Sequence, residues 1–315
     1  MGWGEASPSR RVTGETPGAV EAELTRASEK LRGLNPLESA AALERAARWI
    51  RGPSALAALD IALHDLKGKY YGAPVRHLLG GQRTKLETSV TLSIGDEEET
   101  LRRAAELVRK GFRILKLKLG RDPEGDIARV RALRECLGGG VRLRVDANQG
   151  YTVSQALRVL RAIQRYDVEF CEQPVPAGNL RALARVRRGS PVPVMADESV
   201  RTPAELLRLI EARAADMVNL KLMKSGGLRR TLQMARICEA AGMPCQLGCM
   251  IETRLGITAA THLALADSGI IYADLDGHLE LASDPCEGGV RTVRGENSVS
   301  PLPGLGVRIA APRFS

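Results

Sequence analysis

Eight short runs rich in β-forming residues recur along this chain, and their even spacing limits the fold more than any other feature. They read as strands over residues 88–94, 114–119, 143–148, 169–173, 192–198, 217–222, 245–250 and 270–276. A step of roughly 25 residues suits one strand, one loop and one helix, and eight such steps close a barrel. Amphipathic stretches such as residues 97–110 and 202–213 lie between the runs and read as the outer helices. A doubly wound open sheet is the competing fold. Its glycine fingerprint, GxGxxG at a first strand-helix turn, is missing. The expected fold class is therefore α/β, a (β/α)8-type TIM barrel.

The texture is different before Lys85. Residues 20–71 read as helices, with Leu56, Leu59, Ile61, Leu63 and Leu66 on one broad apolar face and Pro36 and Pro53 at helix starts. The expected organisation is a mostly helical remainder of a smaller domain over 1–85, a barrel over 86–285, and a segment over 286–315 that returns to the smaller domain.

Composition narrows the function classes. Of 315 residues 44% are hydrophobic but only 3% aromatic, so the core is expected to be aliphatic. The net charge of +9 is spread along the chain, as at Arg102-Arg103 and Arg187-Arg188, with three Phe, five Tyr and two Trp. A basic stripe interleaved with stacking aromatics is absent, which argues against nucleic acid as a partner. Six cysteines without a CxxC read as reduced core thiols, with Cys245 and Cys249 filling the barrel. No apolar run of about 18 residues exists and Met1 to Arg11 lacks a secretory stretch, so a soluble cytoplasmic protein with no membrane partner is expected. Self-association into a homo-oligomer stays open.

Barrel enzymes place their chemistry at the C-terminal ends of the strands, and here those ends are charged. The second run carries Lys116 and Lys118, the third Asp146, the fourth Glu172, the fifth Asp197 and Glu198, and the sixth Lys221. The seventh reaches Glu252, and the eighth finishes in Asp274 and Asp276. Side chains alternate along a strand, so Lys116 and Lys118 share one face, the barrel interior if Leu115, Leu117 and Leu119 face the helices. Two interior ammonium groups are expected to lower each other's proton affinity, leaving one as a usable base.

Asp146, Glu172 and Asp197 come from adjacent strands, and at about 4 Å two like charges repel by roughly 4 kcal/mol at an effective dielectric of 20. A cation relieves this. Oxygen donors without a nearby His or Cys favour a hard ion, Mg²⁺ first and Mn²⁺ second. Lysines on the second and sixth strands of eight stand nearly opposite one another, so one removes a proton from one face of a carbon while the other delivers a proton to the opposite face. The bland reading is a barrel whose charged rim is merely solvated. His64, His77, His262 and His278 show no zinc spacing and read as structural or surface residues. Lys224-Ser225 looks like the end of a phosphate loop but lacks its glycines.

These residues resemble the enolase superfamily, and within it the muconate-lactonising subgroup, from Gly4 to nearly the C-terminus. The resemblance rests on Lys116-Leu117-Lys118, Asp146-Ala147-Asn148, Glu172-Gln173-Pro174, Ala196-Asp197-Glu198-Ser199 and the segment from Asn219 to Gly227. It implies a barrel of modified (β/α)7β form with a truncated α+β capping domain. It also implies Mg²⁺ on Asp146, Glu172 and Asp197, with Lys118 and Lys221 as catalytic bases, Lys116 tuning Lys118, and an enediolate intermediate of the kind the superfamily stabilises.

Several activities share this set: cycloisomerisation, o-succinylbenzoate synthesis, N-acylamino acid racemisation and dipeptide epimerisation. Asp274-Leu275-Asp276 is similar to the element with which dipeptide epimerases hold the substrate ammonium, and the segment from Gly248 to Thr258 is similar to the seventh strand of alanyl-glutamate epimerases. The expected substrate is a dipeptide such as L-Ala-L-Glu, touching Asp274, Asp276, Glu252 and Lys116. A sister activity, a Schiff-base aldolase using a barrel lysine, or a non-catalytic binding barrel remain the alternatives. The resemblance begins late in the capping domain, so a fragment or a start site set too late is expected, with the family's opening sheet and mobile loop lying before Met1.

Overall fold

Each of the eight runs forms a strand. The computed structural model describes residues 1–81 and 83–310. After β1 (Lys85–Glu87), the strands β2 (Val90–Leu92), β3 (Ile114–Lys118), β4 (Arg142–Asp146), β5 (Val168–Glu172), β6 (Val194–Ala196), β7 (Met217–Lys221), β8 (Cys245–Gly248) and β9 (Ile270–Asp274) follow. β2 to β9 make one eight-stranded sheet in sequence order, every pair parallel. The Ser89 N–H donates to the Ala273 carbonyl at 3.1 Å, drawing the first of these strands towards the last. Seven of the eight strands are followed by an α-helix, whereas β9 runs into the short 3-10 turn Gly277–Glu280, which gives the (β/α)7β form.

The helices begin where their caps dictate. Asp96, Asp122, Thr152 and Thr202 accept from backbone N–H groups at the starts of four outer helices, and Thr152 and Thr202 form capping boxes with Gln155 and Glu205. These starts follow the C-terminal strand ends directly, so the caps also fix the loops that carry the charged residues.

Beneath those loops the lumen is filled by Phe170, Met195, Met217 and Tyr272. Among them lies Arg144, 1% exposed, donating to Glu169 Oε2 at 2.7 Å and to the Ala273 carbonyl at 3.2 Å. Its guanidinium is 5.0 Å from the ring centres of both Phe170 and Tyr272. Arg144 thereby closes the floor of the barrel.

Helices Pro17–Leu31, Ser39–Ala46 and Pro53–Tyr71 pack through Val20, Ala27, Ala42, Leu43, Ile50 and Leu56. Pro53 opens its helix as expected; Pro36 instead sits in the turn before Ser39–Ala46, which starts three residues later. Among the described residues none before Lys85 forms a strand. The N-terminal segment lies against Pro53–Tyr71, where a Cβ on Gly4 would be 1.9 Å from the Ala58 carbonyl oxygen; only glycine allows that approach. Glu5 then accepts from Thr253 N (2.7 Å) and Gly256 N (2.7 Å), tying this segment to the loop after β8.

The chain closes with β10 (Cys286–Gly288), β11 (Arg291–Val293), β12 (Glu296–Ser298) and β13 (Val307–Ile309). β12 pairs with β1 and β11, and Leu305 N donates to Asp65 of the helix Pro53–Tyr71 at 2.8 Å. Residues 311–315 of the expected returning segment lie outside the described residues. No described helix is long and apolar enough to cross a membrane.

Candidate active site

Register brings the charged strand ends to one level. Lys118 on β3 is paired across the sheet with Asp146 on β4, and Asp146 with Glu172 on β5. On the far side Lys221 on β7 lies level with Gly248 and, through it, with Asp274 on β9. A cavity of about 300 Å³ opens above, lined by Lys116, Lys118, Asp197, Lys221, Asp274 and Asp276 among others.

The lysines and carboxylates interleave. Lys118 Nζ donates to Asp146 Oδ2 (2.7 Å) and Asn148 Oδ1 (2.8 Å) and is the most exposed of them, at 27% of its side chain. Lys116 is buried, paired with Asp274 and 3.5 Å from both Asp146 Oδ2 and Glu172 Oε2. Lys221 Nζ donates to Asp197 Oδ2 at 2.7 Å. Ser89 Oγ donates to Asp274 Oδ1 (2.6 Å) and Thr91 N to Asp276 Oδ2 (2.7 Å), so β2 and the residue before it orient both acids.

Burial and neighbouring charge pull the proton affinities apart. Burial disfavours the ammonium of Lys116, yet Asp274, Glu172 and Asp146 outweigh it and hold Lys116 well above the ordinary lysine range. Lys221 is raised in the same way by Asp197 and Glu172 against its burial. The expectation that paired lysines depress one another is thus overturned for Lys116, because carboxylates surround it. Burial, with Asp146 and Asp197 nearby, pushes the Glu172 carboxyl up to about 8. Burial and Asp274 push Asp276 up to about 6.

The donor set fits a hard divalent cation. Asp146, Glu172 and Asp197 offer oxygen only, and Glu172 is crowded by the two neighbouring negative charges that a cation would neutralise. Glu198 Oε2 is buried without a hydrogen-bond partner beside them. Among the described residues no three acidic, His or Cys side chains already converge on one point; the lysine ammonium groups stand between the carboxylates instead.

Glu252 is placed differently from the other expected site residues. It is 1% exposed, accepts from Met250 N at 2.8 Å and is pushed up to about 8 by burial and by the Glu5 carboxylate, while Cys249, Met250 and Ile251 line the cavity in its stead. Cys249 therefore faces the cavity, and Cys245 lies in the core.

Sequence reasoning missed three residues. Lys224 is fully buried and donates to Asp197 Oδ1 at 2.6 Å; Asn219 Nδ2 donates to Glu172 Oε1 at 2.8 Å; Asn148 bridges Lys118 and Glu198. Asn219 was findable, since it stands two residues before Lys221 and so points to the same face. Lys224 lies in the short helix Leu222–Ser225 beyond the strand, where alternation gives no signal.

Known proteins are similar to this chain in sequence and shape. Residues 1–80 match the model described as mandelate racemase / muconate lactonizing enzyme, N-terminal domain, and residues 99–313 the model described as enolase C-terminal domain-like. The chain is 40% identical over 311 residues to the L-Ala-D/L-Glu epimerase of Clostridium acetobutylicum, covering 98% of this chain and 87% of that protein. It is 43% identical over 317 residues to the L-Lys-D/L-Arg epimerase of Methylococcus capsulatus, covering 98% and 87%. The crystal structure of a dipeptide epimerase from Enterococcus faecalis, complexed with Mg and L-Leu-L-Tyr, superposes with a TM-score of 0.94 at 38% identity, covering 97% of this chain and 87% of that one.

Proposed function

The chain belongs to the mandelate racemase / muconate lactonizing enzyme family, and from that premise we propose that it is a Mg²⁺-dependent dipeptide epimerase that inverts the α-carbon of the C-terminal residue. One observation carries the reading. Lys118 and Lys221 reach a single cavity from strands four apart in a sheet of eight, and Asp274 and Asp276 line the same cavity.

In this reading the α-carbon sits between the two lysines. One takes the α-proton, leaving an enediolate, and the other returns a proton to the opposite face, so the configuration inverts. Asp146, Glu172 and Asp197 would hold Mg²⁺, or Mn²⁺, which when bound supplies positive charge to the substrate carboxylate as its α-proton leaves. Carboxylates so engaged would hold Lys221 less firmly in its ammonium form, and Lys221 would then act as a base. Lys116, buried against Asp274, keeps a positive charge beneath Lys118 on the same face of β3.

Asp274 and Asp276 favour a dipeptide over an N-acylamino acid, because only the dipeptide brings an ammonium to them. The test is incubation of L-Ala-L-Glu and other dipeptides with Mg²⁺ in deuterated water. α-Deuterium and the second epimer are expected. Turnover of an N-acylamino acid or a cyclohexadiene carboxylate precursor, without exchange in any dipeptide, would reject the reading in favour of a sister activity.

A further inference from the structure

The family leaves the side chain of the inverted residue open: the relatives above are named for Glu and for Arg at that position, at 40% and 43% identity. A second cavity of about 380 Å³ lies beside the first. Ser93, Lys118 and Asn148 line both, so the two spaces join at the lysine that faces the reacting carbon.

Charge divides them sharply. The first cavity is lined by five carboxylates, those of Asp197, Glu198, Asp274, Asp276 and Glu280, against the three ammonium groups of Lys116, Lys118 and Lys221. The second is lined by Arg11, Lys118 and Arg121 and by no carboxylate. Neither Arg11 nor Arg121 takes part in an ion pair among the described residues, and both are exposed. Their placement is built into the backbone. Arg121 follows Gly120, whose positive φ of 100° and approach to the Ala147 carbonyl, 2.2 Å from where a Cβ would lie, restrict that position to glycine. Arg11 precedes Val12, which itself lines the first cavity. A third cavity, of about 270 Å³, also adjoins the site but carries Glu99 and Glu280, and its Arg103 is engaged by Glu106 at 3.0 Å.

We propose that the basic cavity receives the side chain of the inverted residue through Arg11 and Arg121, so that this chain selects dipeptides whose C-terminal residue is acidic. The proposal rests on the dipeptide reading above. Substrate charge would then run in the same sense as the site, with the ammonium at Asp274 and Asp276 and the side-chain carboxylate at the opposite, cationic end. Arginine suits this role because its planar fork grips a carboxylate at two points and stays charged throughout.

The experiment compares kcat/KM for L-Ala-L-Glu, its neutral isostere L-Ala-L-Gln, and L-Ala-L-Lys, read as α-deuterium incorporation, in the parent protein and in the double variant Arg11→Glu/Arg121→Glu. Hydrogen bonds to a charged partner are worth enough that Glu should exceed Gln by about tenfold to a hundredfold. The double variant should lower the Glu to Lys ratio by at least about a hundredfold on the same arithmetic. A Glu to Gln ratio near unity, or a Glu to Lys ratio unmoved by the double reversal, overturns the proposal while leaving dipeptide epimerisation intact. Exchange in none of the three, with exchange in some other dipeptide, overturns the selectivity alone; exchange in no dipeptide at all overturns the parent reading, and the selectivity with it.

Discussion

Lys224 grips Asp197 twice, donating to the carboxylate Oδ1 at 2.6 Å and to the same residue's backbone carbonyl at 2.5 Å. A third hydrogen bond runs to the Asn219 carbonyl at 2.6 Å, so every donor of a fully buried ammonium is used.

Removing that ammonium leaves Asp197 with Lys221 alone. Lys224→Met should destabilise the fold by about 3–5 kcal/mol, the range for breaking a buried pair. Mg²⁺ should then raise the melting temperature of the variant more than that of the parent, since an under-compensated carboxylate gains more from a cation. Equal shifts in thermal melts with and without Mg²⁺ would count against this.

Lys118→Ala and Lys221→Ala should each lower epimerisation by about 10²–10⁴-fold, the usual contribution of one acid-base group. In the proposed two-base chemistry the lysines serve opposite faces, so each variant should still exchange the α-proton of one epimer. NMR of separate L- and D-epimers in deuterated water reads this directly. Mild and equal losses for both epimers would contradict a two-base site.

A carboxyl at about 8 is largely protonated at neutral pH, and Glu172 must lose that proton to serve as a ligand. Mg²⁺ affinity should therefore rise with pH up to about 8 and level off above it, with proton release on binding near pH 7. Calorimetry in buffers of different ionisation enthalpy measures the released proton. A pH-independent affinity between 6 and 8, or the same profile in Glu172→Gln, would refute the assignment. EDTA should abolish activity, and Mg²⁺ or Mn²⁺ should restore it.

His262 offers a stability test far from the chemistry. Burial lowers it to about 4, and its Nδ1 accepts from Arg76 N at 3.0 Å, which requires the neutral ring. The unfolded chain protonates this histidine first, near pH 6.5. Its stabilising contribution is thus complete above about 6.5 and is lost as pH falls towards 4, by roughly 3 kcal/mol. Denaturant melts of His262→Asn should show a shallower loss of stability over that window than the parent. An unchanged slope would refute it.

Much of this architecture was legible because strand period and barrel geometry act locally. Lys116 and Lys118 announce an inward face by alternation, and Asp146, Glu172 and Asp197 by ending successive runs. What the chain conceals depends on distant partners. The proton affinity of Lys116 follows from Asp274, 158 residues away, and no spacing rule pairs them. Glu252 looks like its neighbours in the sequence but turns back onto Met250 N beside the Glu5 carboxylate, and Lys224 becomes visible only once a turn folds it back onto Asp197.

Arg144, wedged between Phe170 and Tyr272, makes the barrel a vessel with a sealed base. Substrate and product must share one entrance, and the two differ only in the handedness of a single carbon. Catalysis there only speeds the approach to the epimer ratio that the free energies of the two free epimers fix, and direction is imposed by whatever removes one of them outside.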